Sequence, residues 1–396
     1  MSFWENPVVT YFFVFGYLGV LTFAWGLLLL GVSRWGEEWR VDPPNSEPGE
    51  KSPSVSICIP ARNEEDNIED CLRAAQNVHW PNLEIVLVND RSDDQTGLIA
   101  QRLASEDSRI RVIEGVEPPS GWAGKPWACS RAAKEAKGAW LLFVDADVRL
   151  HPGAIQAAVQ IGKDRDLALV SFFGTWIVQG FWERVLVPAV GWLIRGAVDF
   201  EKVNVRSYAE AFANGQFILM RRDAYFAIGG HGAVRDQVLE DVRLAEVVKR
   251  NGFGVEVRPA DWAFDVRLYD SLTAIINGYT KNLYEGLGRR PSIGFGAALF
   301  LFVCALLPFL LLLSIGIGQV FWEWSLVSPW VLLWLLVICG LQIAFRWQQE
   351  RVDGRSGSIA WAQPLANILL IWILLRSTSS IKVQWKGRTF VDGRAN

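Results

Sequence analysis

The stretch WLLFVDAD at residues 140–147 joins an uninterrupted apolar run to two carboxylates. A continuous apolar run of this length is typical of a strand buried on both faces of a sheet. Asp145 and Asp147 follow where the strand ends, separated by one residue. Mg²⁺ and Mn²⁺ bind through a few carboxylate oxygens together with waters and substrate phosphates. The pair therefore predicts a divalent-metal site, although such a pair by itself is more often a solvated turn.

Apolar strands alternate with helices from residue 51 up to this stretch. Buried strands separated by helices predict an α/β fold, in which a mostly parallel sheet is covered by helices on both faces. In such sheets, ligands bind just beyond the carboxyl ends of the strands. The earlier strands are predicted at 54–59, 83–88 and 110–113, and the helices at 67–76, 95–105 and 127–137.

Polar residues also follow two of the earlier strands. The run Pro60-Ala-Arg-Asn-Glu64 follows the first strand, and Asp90 comes at the end of the second. Because the carboxyl ends of parallel strands meet at one edge of a sheet, we expect these groups beside the acidic pair. Asp93 and Asp94 are better explained as caps of the next helix.

Two further segments place charges where helices begin. Lys125 lies in the loop GWAGKPWA at 121–128, and a cation beside a helix N-terminus suits a diphosphate. An ordinary surface lysine is the alternative. Glu240 and Asp241 precede a helix predicted at 242–250, where acidic side chains stabilise the helix dipole. The functional alternative is a general base held at the start of that helix.

The distribution of charge separates a soluble region from two membrane-like regions. The chain has 396 residues, of which 51% are hydrophobic and 20% charged. Eight charged residues lie in 1–50 and twelve in 291–396, which leaves 61 in the 240 residues between them. The middle region thus has the charge content of an ordinary soluble domain. A formal net charge of -3 argues against a nucleic-acid partner.

Long apolar runs predict membrane-spanning helices at both ends of the chain. The first run is long for a signal peptide and has no basic segment before it. The last run is borderline in length and contains Pro364, so it either crosses the membrane or forms a re-entrant or interfacial helix. The basic tail favours the second alternative. The four runs lie at 8–32, 293–321, 326–345 and 359–375.

Arginines near the ends of these runs predict the orientation. Arg34 and Arg40 follow the first run, and Arg289 and Arg290 precede the second, which places the central domain in the cytosol. The run at 181–200 is either an interfacial helix or part of the soluble core. The expected organisation is a membrane helix and linker at 1–50, a soluble domain at 51–290, a membrane region with two or three spans at 291–376 and a basic tail at 377–396.

These motifs, taken in order, resemble glycosyltransferase family 2, whose members are inverting enzymes with a GT-A fold. The resemblance covers about residues 53–284. Within the family the chain is most similar to small membrane enzymes that glycosylate lipids, namely carotenoid and hopanoid-associated glycosyltransferases and, more distantly, ceramide glucosyltransferase. The similarity rests on GWAGKPWA, VRDQVLEDVRLA at 234–245, GYTKN at 278–282 and WKGR at 385–388.

The resemblance implies roles for individual residues. Asp241 would be the catalytic base, with His231 as the fallback, and His231 is otherwise a structural or acceptor-side residue. Asp147, aided by Asp145, would hold Mg²⁺ or Mn²⁺. Donor contacts would come from Pro60 and Glu64 at the nucleoside, Asp90 at the base, and Lys125 and Asp145 at the ribose and diphosphate. Acceptor-side residues would be Asn214, Gly215, Gln216, His231 and Glu240.

The sequence therefore predicts a multi-pass protein of a bacterial inner or plasma membrane. It would transfer a sugar from a nucleotide-diphosphate sugar, with UDP-sugars such as UDP-glucose favoured, to a hydroxyl of a lipid. A carotenoid is the first expected acceptor and a hopanoid the second. The QxxRW motif of processive relatives is missing, which predicts a single transfer. The alternatives are a polyprenyl-phosphate sugar synthase, with Arg235 and Arg243 near the phosphate, and a non-catalytic scaffold.

Overall fold

The computed structural model describes residues 7–32, 39–322, 328–379, 382–385, 388–391 and 394–395. The chain divides into two compact units, which we call the sheet unit and the helical unit. The sheet unit comprises 39–178, 195–270 and 381–396, and the helical unit comprises 1–38, 179–194 and 271–380. The domain boundaries expected at 50, 290 and 376 stay predictions.

The sheet unit contains ten strands before the tail. They are β1 (Val55–Ala61), β2 (Leu83–Asn89), β3 (Ile110–Glu114), β4 (Trp140–Phe143), β5 (Val148–Leu150), β6 (Leu167–Phe173), β7 (Thr175–Trp176), β8 (Ile218–Arg221), β9 (Gly254–Pro259) and β10 (Phe264–Val266). Seven form a sheet in the order β3-β2-β1-β4-β8-β6-β9, in which β8 is antiparallel to both neighbours. A smaller sheet has the order β5-β10-β7.

Helices cover both faces of the large sheet, as the apolar strands predict. Alternate residues of β1 enter different cores: Ile57 and Ile59 pack in one, and Cys58 packs in the other. The α/β fold is therefore confirmed. The helices of this unit are α2 (Ile68–Gln76), α3 (Thr96–Glu106), α4 (Gly124–Glu135), α5 (Ala154–Asp164), α7 (Phe200–Val203), α8 (Arg222–Ala227) and α9 (Glu240–Arg250).

The helical unit contains the apolar helices. They are α1 (Pro7–Val32), most of α6 (Phe181–Ala197), α10 (Leu272–Gly286), α11 (Pro291–Leu301), α12 (Leu307–Trp322), α13 (Pro329–Val352) and α14 (Gln363–Ser379). Four segments among the described residues are long and apolar enough to span a membrane: Val14–Gly31, Pro291–Gly318, Pro329–Val352 and Ala360–Thr378. Apolar helices at both ends are thus confirmed. Arg34 and Leu326 lie outside the described residues.

Pro364 lies in the first turn of α14 and does not interrupt it. A proline is tolerated there because the first N–H groups of a helix have no partner within the helix. The tail contributes three short strands, β11 (Lys382–Trp385), β12 (Arg388–Val391) and β13 (Arg394–Ala395), which pair antiparallel.

A π-helical turn at Phe302–Leu306 separates α11 from α12. Widening to a π-turn and the missing N–H of Pro308 release backbone carbonyls from the usual helical bonds. Side chains of α1 and α14 bond these carbonyls. Tyr17 Oη donates to Val303 (2.6 Å), Trp25 Nε1 to Cys304 (3.1 Å) and Asn367 Nδ2 to Ala305 (3.3 Å).

A second proline inside a helix is Pro188 of α6. Pro188 has no N–H, so the carbonyl of Arg184 loses its normal helical partner. Arg346 of α13 replaces it, because Nη2 donates to the carbonyls of Arg184 (2.7 Å) and Val185 (3.2 Å). The Arg346 side chain is 2% exposed and also lies 2.9 Å from Glu350 Oε1. This buried arginine therefore supplies the hydrogen bond to the Arg184 carbonyl that Pro188 cannot supply.

Candidate active site

The parallel strands β1, β2 and β4 end at one edge of the large sheet. Asp90 follows β2, and its backbone N–H donates to the carbonyl of Ala61 at the end of β1 (2.7 Å). Arg62 Nη1 donates to the carbonyl of Asp90 (3.0 Å). The Asp90 side chain is buried. The structure therefore brings Asp90 and the loop after β1 together, and their roles at the donor stay predictions.

Glu64 closes this loop against α3. Its N–H donates to Thr96 Oγ1 (2.8 Å), and its carboxylate accepts from Asn67 Nδ2 (3.1 Å). Asp94 Oδ1 accepts from the N–H of Thr96 (3.0 Å), and Asp94 Oδ2 accepts from the N–H of Glu65 (3.1 Å). Asp94 thus orders the start of α3 from the position before the N-cap, which is Gln95.

Lys125 lies in the first turn of α4 and joins two acidic motifs that are far apart in sequence. Its Nζ is 2.6 Å from Asp145 Oδ1 and 2.8 Å from Glu240 Oε1. Burial by itself would lower the pKa of Lys125, but the facing carboxylates of Asp145 and Glu240 outweigh it and hold that pKa well above its usual value. Lys125 is therefore a permanent positive charge between the two motifs.

Asp241 lies in the first turn of α9 and is held by two backbone groups. Oδ1 accepts from the N–H of Val242 (2.8 Å), and Oδ2 accepts from the N–H of Gly215 (3.0 Å). Burial, together with the neighbouring Glu240 carboxylate, raises the pKa of Asp241 to about 7, and Lys125 opposes that rise. A carboxylate that titrates near neutral pH is suited to accept a proton in catalysis.

The loop Asn214-Gly-Gln216 approaches this carboxylate closely. Asn214 Nδ2 donates to the carbonyl of Phe172 (2.9 Å), which fixes the loop to β6. A Cβ atom at position 215 would lie 2.8 Å from Asp241 Oδ2 and 3.3 Å from Lys125 Nζ. Only glycine leaves room for both charged groups. Gln216 lies farther back, where its Oε1 accepts from Trp176 Nε1 (3.3 Å).

His231 lies beneath this region and is buried. Tyr225 Oη lies 2.9 Å from Nδ1 and also accepts from the N–H of His231 (3.1 Å). Burial, reinforced by the charge of Lys125, lowers the pKa of His231 to about 3. A neutral imidazole that resists protonation so strongly is a weak general base.

Some of these groups line one pocket, whereas Glu64, Asp90, Asp147 and Asp241 are not among its lining residues. Its walls include Pro60, Lys125, Asp145, Gly215, His231 and Glu240. Four further wall residues, Cys129, Phe143, Val144 and Ile218, were missed by sequence reasoning. Cys129 follows Lys125 by four residues on α4, a spacing that puts both on one helix face and could have revealed it. Ile218 has no such signal, because the antiparallel β8 brings it here.

Asp147 is half-buried beyond the end of β4. Burial and the nearby Asp147 carboxylate raise the pKa of Tyr269 above its usual value, so this tyrosine is a neighbour that sequence reasoning missed. Among the described residues, no group of three His, Cys, Asp or Glu side chains is arranged to hold a metal ion. Mg²⁺ and Mn²⁺ need only one or two protein carboxylates when substrate phosphates complete their shell. The acidic pair fits that requirement.

Residues 56–229 match the family model "Glycosyl transferase family 2". The chain is 26% identical over 356 residues to 4,4'-diaponeurosporenoate glycosyltransferase of Staphylococcus aureus strain MRSA252, which covers 85% of this chain and 88% of the relative. The protein of the same name from strain USA300 is 26% identical over 351 residues, with the same coverage.

A solved structure supports the fold. A mannosyltransferase from Pyrobaculum calidifontis, solved in complex with GDP-Man and Mn²⁺, superposes with a TM-score of 0.51 at 18% sequence identity. The superposition covers 92% of this chain and 96% of the other. The predicted resemblance to glycosyl transferase family 2, with a GT-A fold, is therefore confirmed.

Proposed function

We propose that this protein is a membrane-bound glycosyltransferase that transfers one sugar from a nucleotide-diphosphate sugar to a lipid acceptor, with inversion at the anomeric carbon. The observation that carries the proposal is the position of Lys125 Nζ, between Asp145 on the expected donor side and Glu240 beside the expected base. A scaffold without activity would have little reason to keep these opposed charges around a pocket.

The donor would bind along the edge formed by β1, β2 and β4. Asp90, Pro60 and Glu64 would receive the nucleoside, and Lys125 with Asp145 would face the ribose and diphosphate. Lys125 keeps its charge throughout the neutral range, so it can stabilise negative charge that develops on the leaving diphosphate. UDP is the nucleotide we favour, whereas the structural neighbour named above was solved with GDP-Man.

Asp241 would act as the base. The acceptor hydroxyl would lie within hydrogen-bond reach of its carboxylate and lose its proton as the oxygen attacks the anomeric carbon. The N–H of Gly215 fixes Oδ2, so the carboxylate presents a defined direction to the acceptor. A single displacement from the face opposite the diphosphate inverts the anomeric configuration.

Asp147, aided by Asp145, would hold a divalent metal. When bound, Mg²⁺ or Mn²⁺ would supply charge stabilisation at the diphosphate. The neighbour solved with Mn²⁺ supports a divalent ion without identifying which one this chain uses.

The acceptor we propose is a carotenoid, with a hopanoid or another glycolipid precursor next. Support comes from the curated relatives, whose name specifies a carotenoid-type acceptor, and from the four helices that are apolar enough to span a membrane. We propose that the sheet unit faces the cytosol of a bacterium and that the domain limits are near 51 and 290. The GYTKN segment lies in α10 and the QxxRW motif is missing, which supports single transfer over polymer synthesis.

Transfer to a polyprenyl phosphate is the second candidate. It would use cationic side chains near Asp241 and would need no strong base. Arg243 instead bonds Glu246 Oε1 along its own helix (2.7 Å). The backbone carbonyl of Arg235 accepts from the N–H of Ala123 (2.7 Å), which holds its loop on the start of α4. The pairing of the Arg243 side chain with Glu246 favours the hydroxyl acceptor.

The test is turnover by the full-length protein in membranes supplied with UDP-glucose, Mn²⁺ and extracted carotenoids. We expect a glycosylated lipid, detected by mass spectrometry, that disappears when the metal is chelated. Product formation only with polyprenyl phosphate would favour the second candidate. No consumption of any nucleotide sugar would overturn the proposal.

A further inference from the structure

His231 makes a contact that fixes the position of its ring proton. The Tyr225 hydroxyl accepts from the backbone N–H of His231, so its own proton needs an acceptor. Tyr225 is 2% exposed, and among the described residues only His231 Nδ1 is placed to take that proton, at 2.9 Å. Nδ1 is therefore the acceptor, and the ring proton lies on Nε2.

The Nε2–H group has no protein partner among the residues that the structure describes. The ring is 97% buried and forms part of the pocket wall with Lys125, Asp145 and Glu240. A ring N–H at a pocket wall can donate to a water or a ligand oxygen in the pocket. The low pKa of His231 keeps this donor neutral and present at every physiological pH.

The pocket is small, with room for a group of about the size of a water molecule. Its wall carries two donors, Lys125 and His231, and two acceptors, Asp145 and Glu240. An ionised phosphate oxygen can accept from the donors but has no proton to donate to the carboxylates. A hydroxyl satisfies both kinds of group, because it accepts from a donor and gives its own proton to a carboxylate.

We infer that His231 donates through Nε2–H to one hydroxyl of the transferred sugar, and that this hydroxyl donates in turn to Glu240 or Asp145. The contact with His231 selects the sugar. The inference rests on the proposed function and deepens it. A site built to bond a hydroxyl discriminates strongly against an analogue that lacks it, because the buried polar groups then lose their partner.

The experiment pairs substitutions with deoxy donors. The full-length protein in detergent with Mn²⁺ is titrated with UDP-glucose and its 2-, 3-, 4- and 6-deoxy analogues, and with GDP-mannose and its deoxy analogues. For wild type we expect loss of one hydroxyl to weaken binding about tenfold or more. In His231→Asn, whose side chain reaches Tyr225 but not the pocket, the same loss should cost about threefold or less.

His231→Gln separates this role from packing. Its amide reaches the Nε2 position, so discrimination should be retained even if the Tyr225 contact is lost. If the role of His231 is purely structural, the Asn variant should retain more of the discrimination between parent and deoxy donors than the Gln variant. His151→Gln is the matched control, because His151 bonds Asp265 and the carbonyl of Trp262 away from the pocket. It should match wild type.

The ratio between parent and deoxy donors cancels any general loss of folded protein. If wild type rejects no deoxy analogue, or if His231→Asn keeps the full discrimination, the inference is wrong while the proposed function stands. If wild type binds neither nucleotide-sugar series, the proposed function fails as well.

Discussion

Both units contain buried or half-buried polar side chains, but they use them for different purposes. In the helical unit, Arg346, Trp25 and Asn367 bond backbone carbonyls that proline or a π-turn has released. In the sheet unit, Lys125 and His231 lie on the wall of a pocket with bonding capacity directed into it. A buried polar group that repairs the backbone maintains the fold. A polar group that faces a cavity is available to a ligand. Substitutions in the helical unit should therefore lower stability, whereas substitutions in the sheet unit should lower activity or binding.

The largest expected effect is that of Asp241→Asn. Loss of the base should lower kcat by about a thousandfold, while the affinity for the donor stays near wild type. The measurement is single-turnover transfer alongside donor titration. Glu246→Gln is the control on the same helix, because its carboxylate pairs with Arg243 and Arg250, outside the proposed site. A variant that keeps most of its activity would show that Asp241 is not the base, or that the acceptor is already an oxyanion.

Arg346→Met should act on stability instead. It removes the donor to the carbonyl of Arg184 and one of the two arginine partners of buried Glu350, which keeps Arg355, and we expect this to cost about 3 kcal/mol of unfolding free energy. Thermal unfolding in detergent measures this. Pro188→Ala added to that variant returns an N–H for the Arg184 carbonyl and should recover about 1 kcal/mol.

Arg351→Met is the control for that experiment, because Arg351 is exposed on the same helix. Its substitution should leave the unfolding midpoint near wild type. If adding Pro188→Ala recovers no unfolding free energy, Arg346 does not serve as the substitute donor to the Arg184 carbonyl.

Gly215→Ala should lower kcat by about a hundredfold, because the added Cβ displaces Asp241 or Lys125. Folding should be retained, since the loop is otherwise unchanged. Gly232→Ala is the matched control, because a Cβ atom there would lie 3.7 Å from its nearest neighbour, which is an ordinary contact distance. Equal activity of the two variants would contradict the close approach of the loop to the base.

The smallest expected effect is a shift in pH dependence. With the pKa of Asp241 raised to about 7, kcat/KM should rise with pH and level off above that value, since a protonated carboxyl accepts no proton. Lys125→Met should move the rising limb to higher pH, because the lysine opposes the rise in that pKa. A limb that stays in place would contradict the contact between the two charges.

The same pKa predicts a stability effect of the opposite sign. The folded state holds this proton more tightly than the unfolded state does, so the stabilisation is complete below the pKa of an unfolded aspartate, about 4. It is lost as pH rises through about 7. Unfolding of Asp241→Asn should lack this component.

The parallel half of the sheet and its polar edge were predictable from sequence. Strands β1, β2 and β4 are mainly apolar runs, and Asp90, Asp145 and Asp147 follow the ends of β2 and β4, so local pattern and chain direction are sufficient. The helix predicted at 127–137 begins at Gly124, because Pro126 suits a first turn.

The rest depends on contacts between distant segments. Glu240 and Asp241 were found as a motif, but their distance to Lys125 depends on how α9 packs. The antiparallel β8, which brings Ile218 and the 214–216 loop to the site, is only four residues long and has no distinctive periodicity. Tyr225, whose hydroxyl lies against His231 Nδ1, is only six residues away in sequence, yet no rule of spacing identifies it as a partner.

The three side-chain bonds to the π-turn also constrain the timing of synthesis. Tyr17 and Trp25 leave the ribosome long before their acceptors, Val303 and Cys304, exist. At about 5–20 residues per second the delay between them is roughly 15 to 60 s. During that interval α1 carries two aromatic donors with no final partners. The first helix made is therefore among the last to reach its native contacts, and a chaperone or insertase that shields it must act for that long.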